Sequence, residues 1–272
     1  MTINSEQFKN NAERQMSMMK EERRELPQGL IVRSMDLQKR DLEILQFLNE
    51  MGPATSQLVA AKLFDAIAIS KINTRLRVAR RRLHLLHQSG FIKKEFCELR
   101  NPFYLTTQKG VQALCSHLNH CIHLSHLKNV PEDMVHSLQV IWSRIALENM
   151  GLATAWRSER RIGLEDKKDQ LRQLNKIQKI YIPDGVYVRS DGAKILFEYE
   201  HTQKSQTRIK ERSLILTNLV VSMKTHYQGV HIVCANESIL ARYKPEIRIW
   251  DQKIQTFEQL MTDGGINHVW TK

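Results

Sequence analysis

Asp184, Glu198 and Glu200 are the residues whose types and spacing could do chemistry in this chain. They lie in YIPDGVYVRSDGAKILFEYEHTQKS, where two strand-like stretches, YIPDGVYV and KILFEYEH, flank the turn RSDGA. Side chains two apart on a strand share a face, so Glu198 and Glu200 point the same way, and a hairpin brings Asp184 beside them. Three crowded carboxylates repel one another unless a cation neutralises them. The apolar setting of ILFEYE means that a charged pair there needs a local reason. Magnesium, which prefers oxygen ligands, meets that need, with manganese as the alternative; such an ion also activates water and offsets charge on a cleaved phosphate. The plainer reading of the same acids is an ordinary surface cluster.

The elements that must hold these residues begin well upstream. From Asp36 the pattern DLEILQFLNEM sets Leu42, Leu45, Phe47 and Leu48 on one helical face, and Gly52 and Pro53 stop it. Thr55 or Ser56 can cap a second helix through QLVAAKLF. A third runs from about Ser70 to His87, with Leu76, Ala79, Leu83 and Leu86 facing a core. FIKKEF, the polar turn CELRNP and FYLTT then read as a two-stranded ribbon. Three helices followed by a ribbon is the order of a winged helix-turn-helix. The third helix carries Arg75, Arg77, Arg80, Arg81 and Arg82, and a helix fits the major groove of double-stranded DNA, where arginines meet guanine edges or phosphates. Arg75, Arg77, Arg80 and Arg81 are the candidate contacts on the helix, and Lys93, Lys94 and Arg100 those on the wing. A solvated basic face is the competing reading.

Composition agrees with a polyanionic partner. Lysine and arginine number 41 against 29 acids, a formal charge of +12, and both halves of the chain are basic, so charge alone does not confine DNA binding to the first. Four spread cysteines form no dense disulfide framework, which points to a reducing cytoplasm. No N-terminal run resembles a signal peptide and no apolar run approaches the roughly 20 residues that span a bilayer, so no membrane partner is expected. Cys115, His117, His120, Cys121, His123 and His126 are dense in potential zinc ligands, but their spacing is unlike a zinc knuckle, and an amphipathic linker helix is the preferred reading. A further helix, about Asp133 to Asn149, offers Val135, Leu138, Ile141, Trp142 and Ile145 to a core, with His136 as a packing or hydrogen-bonding residue.

The pair Pro183-Asp184, followed after the hairpin by Glu198, resembles the PD-(D/E)xK nuclease superfamily, with Glu200 standing where that pattern has its lysine. The resemblance implies a central mixed sheet flanked by helices and a metal held by Asp184, Glu198 and the Tyr199 carbonyl. It also implies an acid from a preceding helix, for which Glu159 in WRSERR is preferred to Glu148. Lys204, four residues after Glu200 at the entrance to the next helix, is the substitute for the missing lysine; Gln203, Arg208 and Lys210 are secondary candidates. Over roughly residues 36 to 245 the order also resembles replication-relaxation family proteins of plasmids and integrative elements, on DLEILQFL, FYLTTQKG, DMVHSLQV, WRSER, IPDG and FEYEHTQKS.

The expectation is an α/β chain with an arm (1–34), a winged helix-turn-helix (35–118), a linker and connecting helix (119–152) and a restriction-endonuclease-like mixed α/β domain (153–272). Its expected function is metal-dependent nicking or cleavage of DNA, with catalysis by Asp184, Glu198, Glu200 and Lys204. Expected partners are double-stranded DNA and either a second copy or the replication, transfer or transposition proteins of a mobile element. The alternative is a non-catalytic origin-binding accessory or transcriptional regulator that uses the nuclease-like domain as a scaffold.

Overall fold

The apolar stripe of DLEILQFLNEM forms helix α1 (Lys39–Met51), which buries Ile44, Leu45, Phe47 and Leu48. The computed structural model describes residues 36–64, 72–96, 101–117, 133–164, 181–222, 227–247, 249 and 251–266. The arm, Arg100, and His120, Cys121, His123 and His126 lie outside the described residues. After α1 comes a two-residue strand, β1 (Ala54–Thr55), and the Thr55 hydroxyl caps α2 (Ser56–Leu63) by accepting from the Leu58 N–H at 3.3 Å. Helix α3 (Ile72–Gln88) buries Ala79, Leu83 and Leu86 completely. Gly90, at φ 76°, then turns the chain into β2 (Ile92–Phe96), a conformation that favours glycine. The ribbon of β2 with β3 (Pro102–Thr106) forms as expected. It is extended by β1 on the other side of β3, which the sequence reading did not anticipate because two residues carry no periodicity.

Arg82 departs from expectation. Instead of joining the basic surface of α3 it grips the fully buried Asp41 of α1 with both guanidinium branches, Nε lying 2.9 Å from Oδ1. Asp41 also accepts from the Gln38 N–H at 2.9 Å, so one carboxylate caps α1 and pins it to α3.

After α4 (Gln108–His117), α5 (Met134–Asn149) is capped by Asp133, which accepts from the His136 N–H at 2.9 Å. Val140 to Leu147 are buried in succession, the mark of a helix enclosed on all sides. Val135 is 44% exposed and does not join the core, because Met134 and Leu138 take the inward positions against Phe103 and Leu105. Arg144 of α5 reaches Glu148 at 3.0 Å and Glu50 at 3.5 Å, while Lys62 reaches Glu148 at 2.5 Å, tying α5 to α1 and α2. The Ser158 hydroxyl donates to the Glu50 carbonyl at 2.8 Å. Residues 37–272 accordingly form one compact α/β unit holding both sheets. Among the described residues no helix is long and apolar enough to cross a membrane.

The second sheet is mixed, in the order β4 (Ala155–Ser158), β5 (Gly185–Val188), β6 (Lys194–Glu200), β7 (Gly229–Cys234), β8 (Gln252–Thr256). The first two junctions are antiparallel and the last two parallel. The parallel junctions need crossovers, supplied by α6 (Gln206–Ser222) and α7 (Glu237–Tyr243); α8 (Phe257–Asp263) follows the last strand. Leu196, Val230, Ile232 and Cys234 pack with Ile209, Leu216, Ile239 and Tyr243. Trp156, Tyr187, Phe197 and His231 form an aromatic cluster, in which the Tyr187 hydroxyl lies 3.2 Å from His231 Nδ1.

Burial, helped by the charge of Lys253, pushes His231 down to about 3. The unfolded chain takes up this proton near pH 6.5 and the folded one does not until about 3. Stability is therefore unaffected by His231 above 6.5 and declines below it by about 1.4 kcal/mol per pH unit. His231→Phe, which keeps an aromatic ring in the cluster, should remove about one proton's worth of slope between pH 6 and pH 4 when unfolding by urea is followed across that range. An unchanged slope would show that His231 protonates in place.

Candidate functional site

Alternation along β6 divides its side chains: Ile195, Phe197 and Tyr199 take one face, Leu196, Glu198 and Glu200 the other. The register of β5 against β6 pairs Gly185 with Phe197, so Asp184, one step beyond the strand, arrives beside Glu198. Gly185 leaves room for the Trp156 ring of β4, which an added Cβ would meet at 2.4 Å. Asp184 Oδ2 accepts from the Tyr199 N–H at 2.7 Å, which fixes the carboxylate against the strand.

The hairpin brings Asp184 beside Glu198, with Glu200 on the same face of β6, but Glu198 and Glu200 already face protein cations. Glu198 is 0% and Glu200 2% exposed. Arg212, twelve residues beyond Glu200 on α6, pairs with Glu198 and reaches Glu200 Oε1 at 2.9 Å. Tyr181 donates to the other Glu198 oxygen, and its ring lies 5.4 Å from the Arg212 guanidinium carbon. Lys204, in the irregular segment between β6 and α6, pairs with Glu200 and so answers to Glu200 rather than to Asp184 or Glu198. Burial, followed by the Asp184 charge, pushes Glu198 up to about 8 against the opposing pull of Arg212 and Tyr181. Burial alone would lower Arg212; Glu198, Tyr181, Glu200 and Asp184 outweigh it and hold the guanidinium firmly charged.

Asp184 has a different partner. His136 of α5 places Nε2 3.2 Å from Asp184 Oδ2 and 3.2 Å from the Tyr199 carbonyl oxygen. Burial works against a charge on this ring, but Asp184, the Tyr199 carbonyl and Asp133 prevail and push it up to about 9. Beside it His201 pairs with Asp133 at 2.9 Å, with ring centres 5.5 Å apart. Glu159, at the head of the helical residues 159–164, donates its N–H to the Asp184 carbonyl at 3.2 Å. Although Glu159 is exposed, its carboxyl is raised, first by desolvation and then by the Asp184 charge, which locates it on the Asp184 side. Glu148, the other acid considered, is committed to Lys62 and Arg144.

The donor set fits a divalent cation held by Asp184 and the Tyr199 carbonyl; it does not fit one shared equally by three carboxylates, since Glu198 and Glu200 face Arg212 and Lys204. Among the described residues no three side chains of His, Cys, Asp or Glu converge as a metal cage. Arg212 and Tyr181 are the site residues that sequence reasoning did not place here, while His136, expected as a packing or hydrogen-bonding residue, meets Asp184 and the Tyr199 carbonyl. The inward stripe Ile209, Ser213, Leu216 and Val220 on α6 was the one signal available for Arg212, which sits beside it.

On α3, Arg77, Arg80 and Arg81 are exposed and Arg75 is half-buried; INTRLRVARRRLHLLHQ contains no acid to pair with them. On the ribbon, Lys94 is exposed and lies 4.9 Å from the Phe96 ring centre, while Lys93 is 3.5 Å from Glu95. Compared with protein-family models and with the curated proteins, the chain matches none, so the geometry of these two surfaces carries the functional argument.

Proposed function

We propose that this chain binds duplex DNA through a winged helix-turn-helix formed by α1, α2, α3 and the β2–β3 ribbon, and hydrolyses a phosphodiester bond at a PD-(D/E)xK-like centre on the second sheet. The observation that carries the reading is Asp184, seated at the end of β5 beside Glu198 and the Tyr199 carbonyl, on a five-stranded mixed sheet. The acid-free arginine face of α3 supports DNA as the substrate. A magnesium or manganese ion bound there would polarise the phosphodiester and supply hydroxide near neutral pH. Asp184 orients that centre through its hydrogen bond to the strand, Glu159 extends the acidic edge, and Arg212 with Lys204 offsets charge behind it. The setting is the replication or mobilisation of a mobile element's DNA in the cytoplasm, with a second copy or that element's own proteins as partners.

A non-catalytic DNA-binding accessory or regulator is favoured by one specific observation, the closure of Glu198 and Glu200 by protein cations. Incubating the purified chain with supercoiled plasmid in magnesium, manganese or chelator separates the two. Nicked or linear product that needs the metal supports hydrolysis; retained binding with no product in either metal supports the accessory.

The DNA surface has its own test. Arg77→Ala with Arg81→Ala should weaken duplex binding about tenfold or more and lower the slope of log affinity against log salt by about two, one for each lost phosphate contact. Fluorescence anisotropy over a salt series reads both, and an unchanged slope rejects this face of α3.

A further inference from the structure

We propose that His136 is a metal ligand, so that the cation site is Asp184 Oδ2, the Tyr199 carbonyl oxygen and His136 Nε2, and that this mixed oxygen–nitrogen set selects manganese over magnesium. The inference rests on the metal-dependent reading above and changes which atoms hold the ion. Nε2 lies 3.2 Å from each oxygen, and an ion bound there would displace to solvent the Nε2 proton that the ring otherwise shares with them. One ring N–H cannot point well at two acceptors, and charge-assisted N–H···O bonds are shorter, about 2.7–2.9 Å. Cis donors on an octahedral ion with bonds of about 2.1–2.2 Å lie about 3.0–3.1 Å apart, so Nε2 stands at close to a neighbouring ligand's separation from each of the two oxygens. Neither Glu198 oxygen is available for that role, one taken by Tyr181 and the other by Arg212.

The ring is held for the task. His136 packs against Tyr199 with ring centres 5.6 Å apart and against His201, which Asp133 anchors from the far side. Asp133 also caps α5 through the His136 N–H, so the helix start and the ring share one support. Magnesium demands oxygen and dehydrates reluctantly, whereas imidazole is a good ligand for transition ions. Replacing the second carboxylate by a histidine therefore moves the preference towards manganese.

The test uses the full chain and manganese alone, without DNA. Electron paramagnetic resonance of added Mn2+ should show one bound ion, with nitrogen modulation from a directly coordinated imidazole. Magnesium should displace it only at tenfold or greater excess. In His136→Gln the nitrogen signal should vanish and manganese affinity fall at least tenfold, while magnesium affinity changes less than threefold. Bound manganese without imidazole nitrogen coupling, unchanged affinity in His136→Gln, or no binding below millimolar Mn2+ would each overturn the assignment. The wild-type spectrum decides even if the variant folds poorly. Cleavage of plasmid without the nitrogen signal would sink this inference and leave the nuclease reading, whereas the signal without cleavage would do the reverse.

Discussion

Asp184→Ala and Asp184→Asn are both expected to lower metal-dependent DNA cleavage about a thousandfold, the scale of losing a bound ion's stabilisation of the transition state, while duplex affinity stays within about twofold. The two variants differ in what they do to the fold. Asp184 accepts from the Tyr199 N–H at 2.7 Å and is only 12% exposed on its side chain. Alanine leaves that amide without its partner and should cost about 1–3 kcal/mol of stability. Asparagine keeps a carbonyl oxygen there and loses the negative charge that His136 faces, so its unfolding midpoint should remain close to wild type above about pH 9, where that ring is neutral. A loss of cleavage common to both, with a loss of stability confined to alanine, separates chemistry from structure. Plasmid nicking, anisotropy and urea unfolding on the same preparations measure the three quantities. Wild-type cleavage by Asp184→Asn would show that the carboxylate holds no ion.

The acids were legible in the sequence because their relation is local. Period two along β6 puts Glu198 and Glu200 on one face, and the turn between β5 and β6 is short enough to bring Asp184 back to them. The stripe of α1 and the turn at Gly90 were legible for the same reason. What was hidden is the choice of partners. Arg82 meets Asp41 across 41 residues, His136 meets Tyr199 across 63, and nothing in either neighbourhood announces the pairing. Lys204 was the obvious cation because it is close in sequence, and its four-residue spacing does take it to Glu200. Arg212 reaches further into the site because α6 packs over the sheet, and only the finished packing sets that distance. The short β1 and the closing helix α8 escaped notice because these elements are too brief for periodicity to speak.

Above about pH 8, where the buried Glu198 is ionised, Arg212→Met is expected to be the most destabilising of these substitutions, by about 3–5 kcal/mol, because it leaves a buried carboxylate without its countercharge. Glu198 and Glu200 are two acids served by two cations, and Arg212 is the one that touches both. Methionine fills much of the volume and removes the fork. Lysine at 212 would restore charge but not the fork, and should recover part of the loss. Adding Glu198→Gln to Arg212→Met should recover more than lysine does, since the neutral amide needs no cation and its oxygen can still accept from Tyr181. The non-additivity of that pair in urea unfolding measures the coupling, and a single Arg212→Met within 1 kcal/mol of wild type would show that Glu198 carries no charge in the folded chain. The same variant bears on the metal. With the guanidinium gone, a divalent ion at Asp184 becomes the nearest replacement for the lost positive charge, so manganese should raise the stability of Arg212→Met by more than it raises that of the wild type. Equal stabilisation of the two would mean that Arg212 and the ion do not share a field, and that the ion pair on Glu198 is a structural lock independent of the site at Asp184.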